Sequence, residues 1–208
     1  MSRSPDVTWH RSGVSRARRR AALGQAGATV WFTGLPASGK STLAAAVETA
    51  LIADGRRAYL LDGDNLRHGL NGDLGFGQAD RGENVRRTAH VAAILADSGC
   101  IALTSLVSPY AADRRAARAL HETQGLPFLE LFVSTPLEAC ASRDPKGLYA
   151  RARRGELSGL TGVDDPYEVP TDADLVLDTS QTTVAEAVDA VLHHLIDNGW
   201  VEPKLSPA

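Results

Sequence analysis

Cysteine is scarce in this sequence, and long apolar runs are missing from it. The 208 residues include two cysteines, Cys100 and Cys140, which lie in largely apolar segments and lack the spacing of a metal site. We expect both to be buried, unreactive thiols, as in proteins of a reducing compartment. No apolar run approaches the roughly 20 residues that span a bilayer, and no apolar signal-peptide segment accompanies the N-terminal arginines. These absences predict a cytoplasmic protein.

A strong net charge is also absent. The formal charge of −3 provides no overall attraction for nucleic acid or for an anionic membrane, and we expect neither as a partner. A local basic cluster does occur, at Arg16, Arg18, Arg19 and Arg20. It is typical of a solvated helix face, with contact to phosphate or nucleic acid as the alternative. The length and the 43% hydrophobic content suit one α/β domain with a short extension.

The most specific motif is the glycine-rich segment 34–42, which matches G-x-x-x-x-G-K-[ST]. An apolar run at 28–33 precedes it and a helical pattern at 43–51 follows, which is the context of a P-loop. Such a loop directs backbone N–H groups and a helix N-terminus at phosphate oxygens. Lys40 is expected to reach the β- and γ-phosphates, and Ser41 to ligate Mg²⁺. The expected ATP contacts in the loop are Gly34, Leu35, Pro36, Ala37, Ser38, Gly39, Lys40, Ser41 and Thr42.

Apolar runs alternate with helical patterns along the rest of the chain. This alternation predicts an α/β fold with a parallel five-stranded sheet and helices on both faces. Asp80 is a candidate N-cap, with Glu83 completing a capping box. Ligands of such sheets bind beyond the carboxyl ends of the strands, so the site is expected there. The predicted strands are 28–33, 57–61, 100–106, 128–133 and 175–177, and the predicted helices are 43–51, 80–98, 110–123, 148–154 and 184–196.

Two acidic residues, Asp62 and Asp64, flank a glycine where the second strand ends. Phosphoryl transfer uses a carboxylate near Mg²⁺ and often one that orients or deprotonates the acceptor hydroxyl. We assign that role, and contact with the metal, to Asp64, and we assign a supporting role to Asp62. The alternative is that both are turn acids that cap the following helix.

Arg67, Asn84 and Arg87 are candidates for binding an anionic acceptor. Asn84 and Arg87 are three residues apart and therefore share a helix face, and Arg forms bidentate bonds with phosphate or sulfate. A Glu83–Arg87 pair at i, i+4 is an equally simple explanation. The spacing leaves both interpretations open.

Two further segments carry polar chemistry. Ser108 follows the third strand and precedes Pro109, where its hydroxyl can bind substrate or act as a nucleophile. Binding is favoured because no histidine base is evident nearby. The charged stretch 143–170 is expected to be a mobile lid that excludes water, with Arg143 and Lys146 screening the transferred charge. The alternative is a surface loop without a function.

Taken together, these motifs and the residues around them resemble the adenylylsulfate kinase (APS kinase) family. The resemblance keeps the order of that family from about residue 6 to 198. The resemblance implies a P-loop kinase fold and transfer of the ATP γ-phosphoryl group to the 3′-hydroxyl of adenosine 5′-phosphosulfate (APS). The products would be 3′-phosphoadenosine 5′-phosphosulfate (PAPS) and ADP, with Mg²⁺ required. It also implies a homodimer and allows an ATP sulfurylase partner. The matching strings are 29–35, 62–70, 74–76, 80–87, 108–110, 143–149 and 161–168.

The resemblance also implies roles for individual residues. Lys40, Asp64 and Ser108 would be catalytic, Ser41 and Asp64 would hold the metal, and Arg143 would contact ATP. The family serine that matches Ser108 is often described as a phosphoserine intermediate, although direct in-line transfer is physically simpler. Phe76 would stack on the acceptor adenine. The implied APS contacts are Asp64, Arg67, Phe76, Asn84, Arg87, Leu106, Val107, Ser108, Lys146 and Leu160.

Three segments depart from the family pattern. Pro36-Ala37 replaces a small, polar Ser-Gly, Leu160 replaces a phenylalanine, and Leu106-Val107 is a conservative change. The loss of an aromatic at 160 is expected to weaken acceptor binding by roughly 0.5–1.5 kcal/mol beyond the area effect.

A P-loop kinase for another acceptor and a non-catalytic nucleotide-binding module remain the alternatives. The expected organisation is an N-terminal basic extension at 1–27, a kinase domain at 28–198 with its lid at about 143–170, and a tail at 199–208.

Overall fold

A computed structural model describes residues 7, 8, 10 and 12–202 of the chain. The described residues form a five-stranded parallel sheet in the order β2-β3-β1-β4-β5, which confirms the predicted fold class. The strands are β1 (Ala28–Gly34), β2 (Ala58–Asp62), β3 (Ile101–Ser105), β4 (Phe128–Val133) and β5 (Leu175–Leu177). The helices are α1 (Arg16–Leu23), α2 (Lys40–Ala53), α3 (Gly63–Leu66), α4 (Gln78–Ser98), α5 (Ala111–Thr123), α6 (Leu137–Arg143), α7 (Leu148–Arg153) and α8 (Val184–Asp197).

The sheet is covered on both faces, which explains why its central strand reads as a continuous apolar run. Every residue of β1 is buried, as expected for a parallel strand between two helical layers. Helices α2 and α8 pack together on one face, where Phe32, Leu43 and Leu195 belong to the main core. Helices α4 and α5 cover the other face, where Trp31, Val85 and Phe128 form a second cluster. The loop after β1 therefore leaves the middle of the sheet.

Helix α4 begins earlier than the sequence pattern predicts. Its N-cap is Gly77, which makes no side-chain cap hydrogen bond, so the predicted capping box at Asp80 and Glu83 is wrong. Glu83 instead pairs with Arg86 and Arg87. The glycine-rich approach to the helix allows the backbone to enter it two residues before the first acidic side chain.

The arginine cluster lies on α1 and is partly used inside the molecule. Arg16 and Arg19 both pair with Asp97 near the end of α4. Arg16 also donates to the backbone carbonyls of Gln124 and Gly125, at 2.9 Å each. Arg18 and Arg20, on the same helix, are exposed. The structure thus gives half of the cluster a docking role.

The C-terminal end of the domain and one of the two cysteines differ slightly from expectation. Val201 is buried in the main core and Trp200 packs against it, so the domain continues into the predicted tail, whose residues 203–208 lie outside the described ones. Cys140 is buried as predicted, but Cys100 is only half-buried because β3 begins after it. Burial raises the pKa of both thiols, which keeps them protonated. In the described ranges, no helix is long and apolar enough to cross a membrane.

Candidate active site

A cavity of about 890 Å³ opens at the carboxyl ends of the strands. Its size is near the upper end of the range for ligand sites, which is roughly 300–1,000 Å³. The walls come from the P-loop, the end of β2, the turn after β3, the start of α4 and the segment 143–170. The cavity therefore lies at the sheet edge that the sequence predicts.

The P-loop backbone depends on residues in the left-handed region. Gly34 has φ 151°, and a Cβ there would lie 2.6 Å from the carbonyl oxygen of Val133. Gly39 has φ 98° and is the N-cap of α2, whose first turn faces the cavity. Ala37 has φ 60°, which is strained for any residue with a side chain. Ala37 therefore strains the loop where a glycine would not.

Lys40 lies beneath this loop. Its side chain is 7% exposed, and its Nζ donates to the carbonyl oxygen of Leu35 at 2.7 Å and to Ser38 Oγ at 3.4 Å. Burial lowers the pKa of Lys40 to about 8, although Asp62 and Asp64 oppose the shift. The ammonium group is thus held by neutral oxygens, a position from which an anionic phosphate can attract it.

The hydroxyl of Ser41 lies between two side chains from neighbouring strand ends. It donates to Asp62 Oδ2 at 2.6 Å and lies 3.1 Å from Ser105 Oγ. The other carboxylate oxygen of Asp62 accepts the backbone N–H of Asp64, so Asp62 also caps α3. A hydroxyl beside a carboxylate is an oxygen donor set of the kind that Mg²⁺ prefers. The structure therefore brings Asp62, rather than Asp64, to the P-loop serine.

Asp64 faces the segment 143–170 across the cavity mouth. Its Oδ2 contacts Lys146 Nζ, and both side chains are exposed. Arg143, at the end of α6, donates to Thr179 Oγ1 at 2.7 Å and to the Thr179 carbonyl oxygen at 2.8 Å. Arg143, Lys146 and Asp64 all line the cavity. The contact places the predicted base and the predicted lid lysine at one point.

An aromatic platform and two arginines form another wall. The Phe76 side chain is 67% exposed, and the Arg67 guanidinium carbon lies 4.2 Å from its ring centroid. Arg67 also donates to the carbonyl oxygens of Leu74 and Gly75, at 3.0 and 2.9 Å. Arg81 donates to the carbonyl oxygens of Phe76 and Gly159. These contacts hold the Phe76 loop between β2 and the segment 143–170.

Asn84 and Arg87 diverge although they share a helix face. Asn84 is buried, lines the cavity, and accepts from Asn71 Nδ2 at 2.9 Å. Arg87 does not line the cavity; it pairs with Glu83 at 2.8 Å and with Asp73 at 2.6 Å. Glu83 accepts hydrogen bonds from Arg86 and from Arg87. These bonds, that from Arg86 first, lower the pKa of Glu83 to about 2. The Glu83–Arg87 interpretation of the spacing therefore describes the structure.

Ser108 occupies a strained turn at the back of the cavity. Its φ is 40° and its side chain is 3% exposed, with the Trp31 indole N–H donating to Oγ at 3.1 Å. Strain of this kind costs about 1–3 kcal/mol and persists only where its surroundings enforce it. Among the described residues, no carboxylate or imidazole hydrogen-bonds to Oγ, so no general base activates it here. Leu106 and Val107 line the cavity beside it.

The segment 143–170 also packs against the P-loop. The Tyr149 hydroxyl donates to the carbonyl oxygen of Pro36 at 2.9 Å. Leu160 is buried with Tyr149 and Cys140, and Leu35 and Ala37 pack against this cluster. The leucine at 160 therefore contributes to the joint between the two segments as well as to the cavity wall.

Comparison with known proteins identifies the family of the chain. Residues 26–178 match the family model described as adenylylsulphate kinase, which is more than half of the chain. The chain belongs to the APS kinase family. Relatives are similar over nearly the full length: the adenylyl-sulfate kinase of Lactiplantibacillus plantarum is 49% identical over 97% of this chain and 96% of its own. The Saccharomyces cerevisiae enzyme is 49% identical over 96% of this chain and 98% of its own.

A solved APS kinase has the same fold. The Mycobacterium tuberculosis APS kinase, in complex with AMPPNP and APS, is 51% identical with a TM-score of 0.80. The match covers 82% of this chain and 98% of that one. The sugar kinase from Janibacter sp. has a TM-score of 0.56 at 20% identity, which indicates the P-loop kinase fold alone.

Several residues that line the cavity were not predicted from the sequence. Arg81 lies within the family string 80–87, but its position gave no sign that it would reach the cavity. Ser105 is the last residue of β3 and Thr179 lies two residues after β5, and nothing in their local pattern points to a site. Tyr149 is part of the string 143–149, but its contact with Pro36 joins residues 113 apart in sequence. Contacts of this length are invisible to local spacing.

Proposed function

We propose that this APS kinase family member transfers the γ-phosphoryl group of ATP to the 3′-hydroxyl of APS and releases PAPS and ADP. The observation that carries the proposal is the single cavity that joins the P-loop to the Arg67–Phe76 wall, with Asp64 on its lining. Phosphoryl transfer requires mainly positioning and charge stabilisation, which such a cavity can supply. The M. tuberculosis relative, described with an ATP analogue and APS, supports the same pairing of ligands.

On the ATP side, the P-loop amides and the first turn of α2 would hold the phosphates. Lys40 would leave the Leu35 carbonyl and pair with the β- and γ-phosphates. Ser41 and Asp62 would hold Mg²⁺, with Asp64 close by, and the ion would neutralise charge on the phosphate oxygens. Arg143, anchored on Thr179, would cover the nucleotide.

On the acceptor side, the exposed face of Phe76 would stack on the adenine of APS. Arg67 and Lys146 would bind the phosphosulfate, and Asn84, Leu106, Val107 and Leu160 would shape the pocket. Arg87 belongs to the proposed set through the family resemblance alone, since its guanidinium pairs with Glu83 and Asp73.

Asp64 would accept the proton of the 3′-hydroxyl as that oxygen attacks the γ-phosphorus. Its Oδ2 contacts Lys146, so movement of the lid segment (143–170) would change the charge that Asp64 faces as it takes the proton. Direct transfer fits the geometry of Ser108 better than a phosphoserine intermediate, because its Oγ is buried and held by Trp31. Ser108 would then act by shaping the acceptor site.

A mass-detected product assay tests this function. Purified protein with ATP, Mg²⁺ and APS is expected to form PAPS, and Asp64→Ala to lose about 100-fold or more of the rate, the low end for general base catalysis. Asp189→Ala, an exposed carboxylate on α8, is the matched control and should keep the parent rate. Turnover with another acceptor and none with APS would overturn the proposal.

The family resemblance also leads us to propose a homodimer in the cytoplasm, with an ATP sulfurylase as a candidate partner. An APS kinase from Thiobacillus denitrificans is described as hexameric, and this chain spans 31% of that chain. Light scattering of the purified protein distinguishes a dimer from a monomer or a hexamer.

A further inference from the structure

Arg114 carries a guanidinium that is buried inside the domain, away from the cavity. It lies one turn into α5, is 2% exposed, and does not line the cavity. Its Nε donates to Glu130 Oε1 at 2.8 Å, and that carboxylate on β4 is buried as well. The pair therefore lies inside the domain rather than at its surface.

The remaining donors of Arg114 reach two segments that border the cavity. Nη1 donates to the carbonyl oxygen of Ser108 at 2.8 Å, and Nη2 donates to the carbonyl oxygen of Glu168 at 2.7 Å. Glu168 joins the same turn by two more bonds, from its N–H to the Pro109 carbonyl and from the Ala111 N–H to its carboxylate. One side chain thus ties the turn after β3 to the end of the lid segment.

A buried ion pair is weak evidence for stability, because a well-packed apolar pair often replaces it without loss. What an apolar pair cannot replace is a planar set of donors aimed in three directions. Ser108 is strained and requires neighbours that enforce its backbone conformation. We propose that Arg114 is a positioning residue. It holds the Ser108 and Glu168 carbonyls and thereby fixes the turn after β3, which borders the acceptor pocket, relative to the end of the lid segment. This inference rests on the proposed function of the cavity.

The sharpest test replaces both charges at once. The double variant R114M/E130L leaves no unpaired buried charge, so it is expected to fold. Its denaturant midpoint should be lower than that of the parent, because the Ser108 and Glu168 carbonyl oxygens lose a donor. Its KM for APS should rise at least tenfold while its KM for ATP stays within twofold. R114K keeps the charge beside Glu130 but lacks the planar donors. Its KM for APS should therefore lie between that of the parent and that of R114M/E130L. R118M is the matched control, because Arg118 contacts Glu130 and Asp174 but not the turn.

Hydrogen exchange provides a readout that does not depend on the reaction. The amides of Ala111 and Glu168 should exchange at least tenfold faster in R114M/E130L than in the parent and in R118M, with exchange in β1 unchanged. Parental kinetics together with parental exchange would overturn the inference. A parent that forms no PAPS would overturn the proposed function instead, and the exchange rates would still decide the role of Arg114. Should the double variant fail to fold, R114K decides by the same two measurements.

Discussion

Lys40 is a buried cation whose described hydrogen bonds all go to neutral oxygens. Burial lowers its pKa to about 8, against about 10.4 for an exposed lysine. The charged form is therefore only modestly favoured at neutral pH in the ligand-free protein. A bound triphosphate supplies the negative charge that favours the protonated form.

ATP affinity is expected to fall as the pH rises above about 8. The free protein loses the Lys40 proton as the pH passes the lowered pKa, whereas the complex retains it, so binding takes up a proton in that range. Calorimetry at pH 7 and pH 9, in buffers with different ionisation heats, measures this uptake. Lys40→Met should bind ATP more weakly, with no uptake at pH 9. A parent without proton uptake at pH 9 would contradict the assignment.

The two arginines of the predicted acceptor set make a second residue-level test. Arg67 lies over Phe76 inside the cavity, and Arg87 pairs with two carboxylates outside it. Arg67→Ala should raise the KM for APS by tenfold or more, the loss expected for a charged hydrogen bond of about 1.5–3 kcal/mol. Arg87→Ala should raise it by less than threefold. Equal losses from the two variants would return Arg87 to the acceptor site.

These residues mark how far local spacing reaches. The P-loop, Asp64 and Arg67 come soon after strand ends, so the local sequence locates them at the cavity, and their roles there stay predictions. The spacing correctly predicted that Asn84 and Arg87 share one helix face, but side chains on one face can point to different neighbours. Arg87 pairs with Asp73 and Glu83, whereas Asn84 lines the cavity, and the spacing alone is compatible with either residue in the cavity.

At the level of elements, the lid segment and the P-loop share a hydrogen bond and an apolar cluster. Tyr149 on α7 donates to the Pro36 carbonyl, and its ring packs with Cys140 and Leu160. Burial raises the pKa of Tyr149, so the hydroxyl keeps its proton and remains a donor. The strained loop residue Ala37 packs against the same cluster.

Tyr149→Phe is expected to loosen the lid segment without unfolding the domain. The variant loses one hydrogen bond, worth about 0.5–1.5 kcal/mol, and keeps the ring. Protease cleavage within 144–158 should accelerate up to about tenfold, since 1.4 kcal/mol is a factor of ten. Tyr59→Phe, on the edge strand, is the control. Equal cleavage rates in parent, variant and control would show that the bond does not hold the segment.

The elements themselves were largely predictable, and the errors have local causes. All five strands were predicted, and β4 and β5 agree at both ends. Helix α4 begins at a glycine cap that side-chain signals cannot reveal. Helix α2 begins three residues before its apolar pattern, because Lys40, Ser41 and Thr42 line the cavity and do not belong to the apolar core.

The whole molecule contains a buried histidine that links folding to pH. The His121 ring lies between Thr29 Oγ1, 2.9 Å from Nε2, and the Ala117 carbonyl oxygen, 2.8 Å from Nδ1. Burial lowers the pKa of His121 below 6.5. The unfolded chain therefore binds more protons than the folded one just below that pH, and stability falls as the pH falls.

Acid is thus expected to destabilise the domain, with His121 contributing to the loss. The free energy of unfolding, measured by denaturant titration at pH 7.5 and pH 5.5, should be lower at pH 5.5. His121→Gln, which cannot titrate, should reduce the difference even though it is less stable than the parent. His193→Gln, an exposed position on α8, is the control. A pH difference that His121→Gln leaves unchanged would assign the effect to other groups.

The overall plan of the molecule followed from the sequence, but its strand order and its long-range joints did not. Alternating strands and helices predict a parallel sheet and locate the cavity at one edge. The order β2-β3-β1-β4-β5 and the burial of Val201 depend on which surfaces fit, and no local pattern encodes that. Arg114 shows the same limit, because its partners are 6, 16 and 54 residues away.

Helix α1 docks where α4 and α5 end, which is the amino-terminal edge of the parallel sheet. Arg16 reaches Asp97 and the carbonyls of Gln124 and Gly125 at that edge, and the cavity opens at the opposite one. A dye or a surface linker attached through a cysteine at position 12 or 13 would therefore sit a full strand length away from the mouth. The protein could be immobilised there with both nucleotides still free to enter.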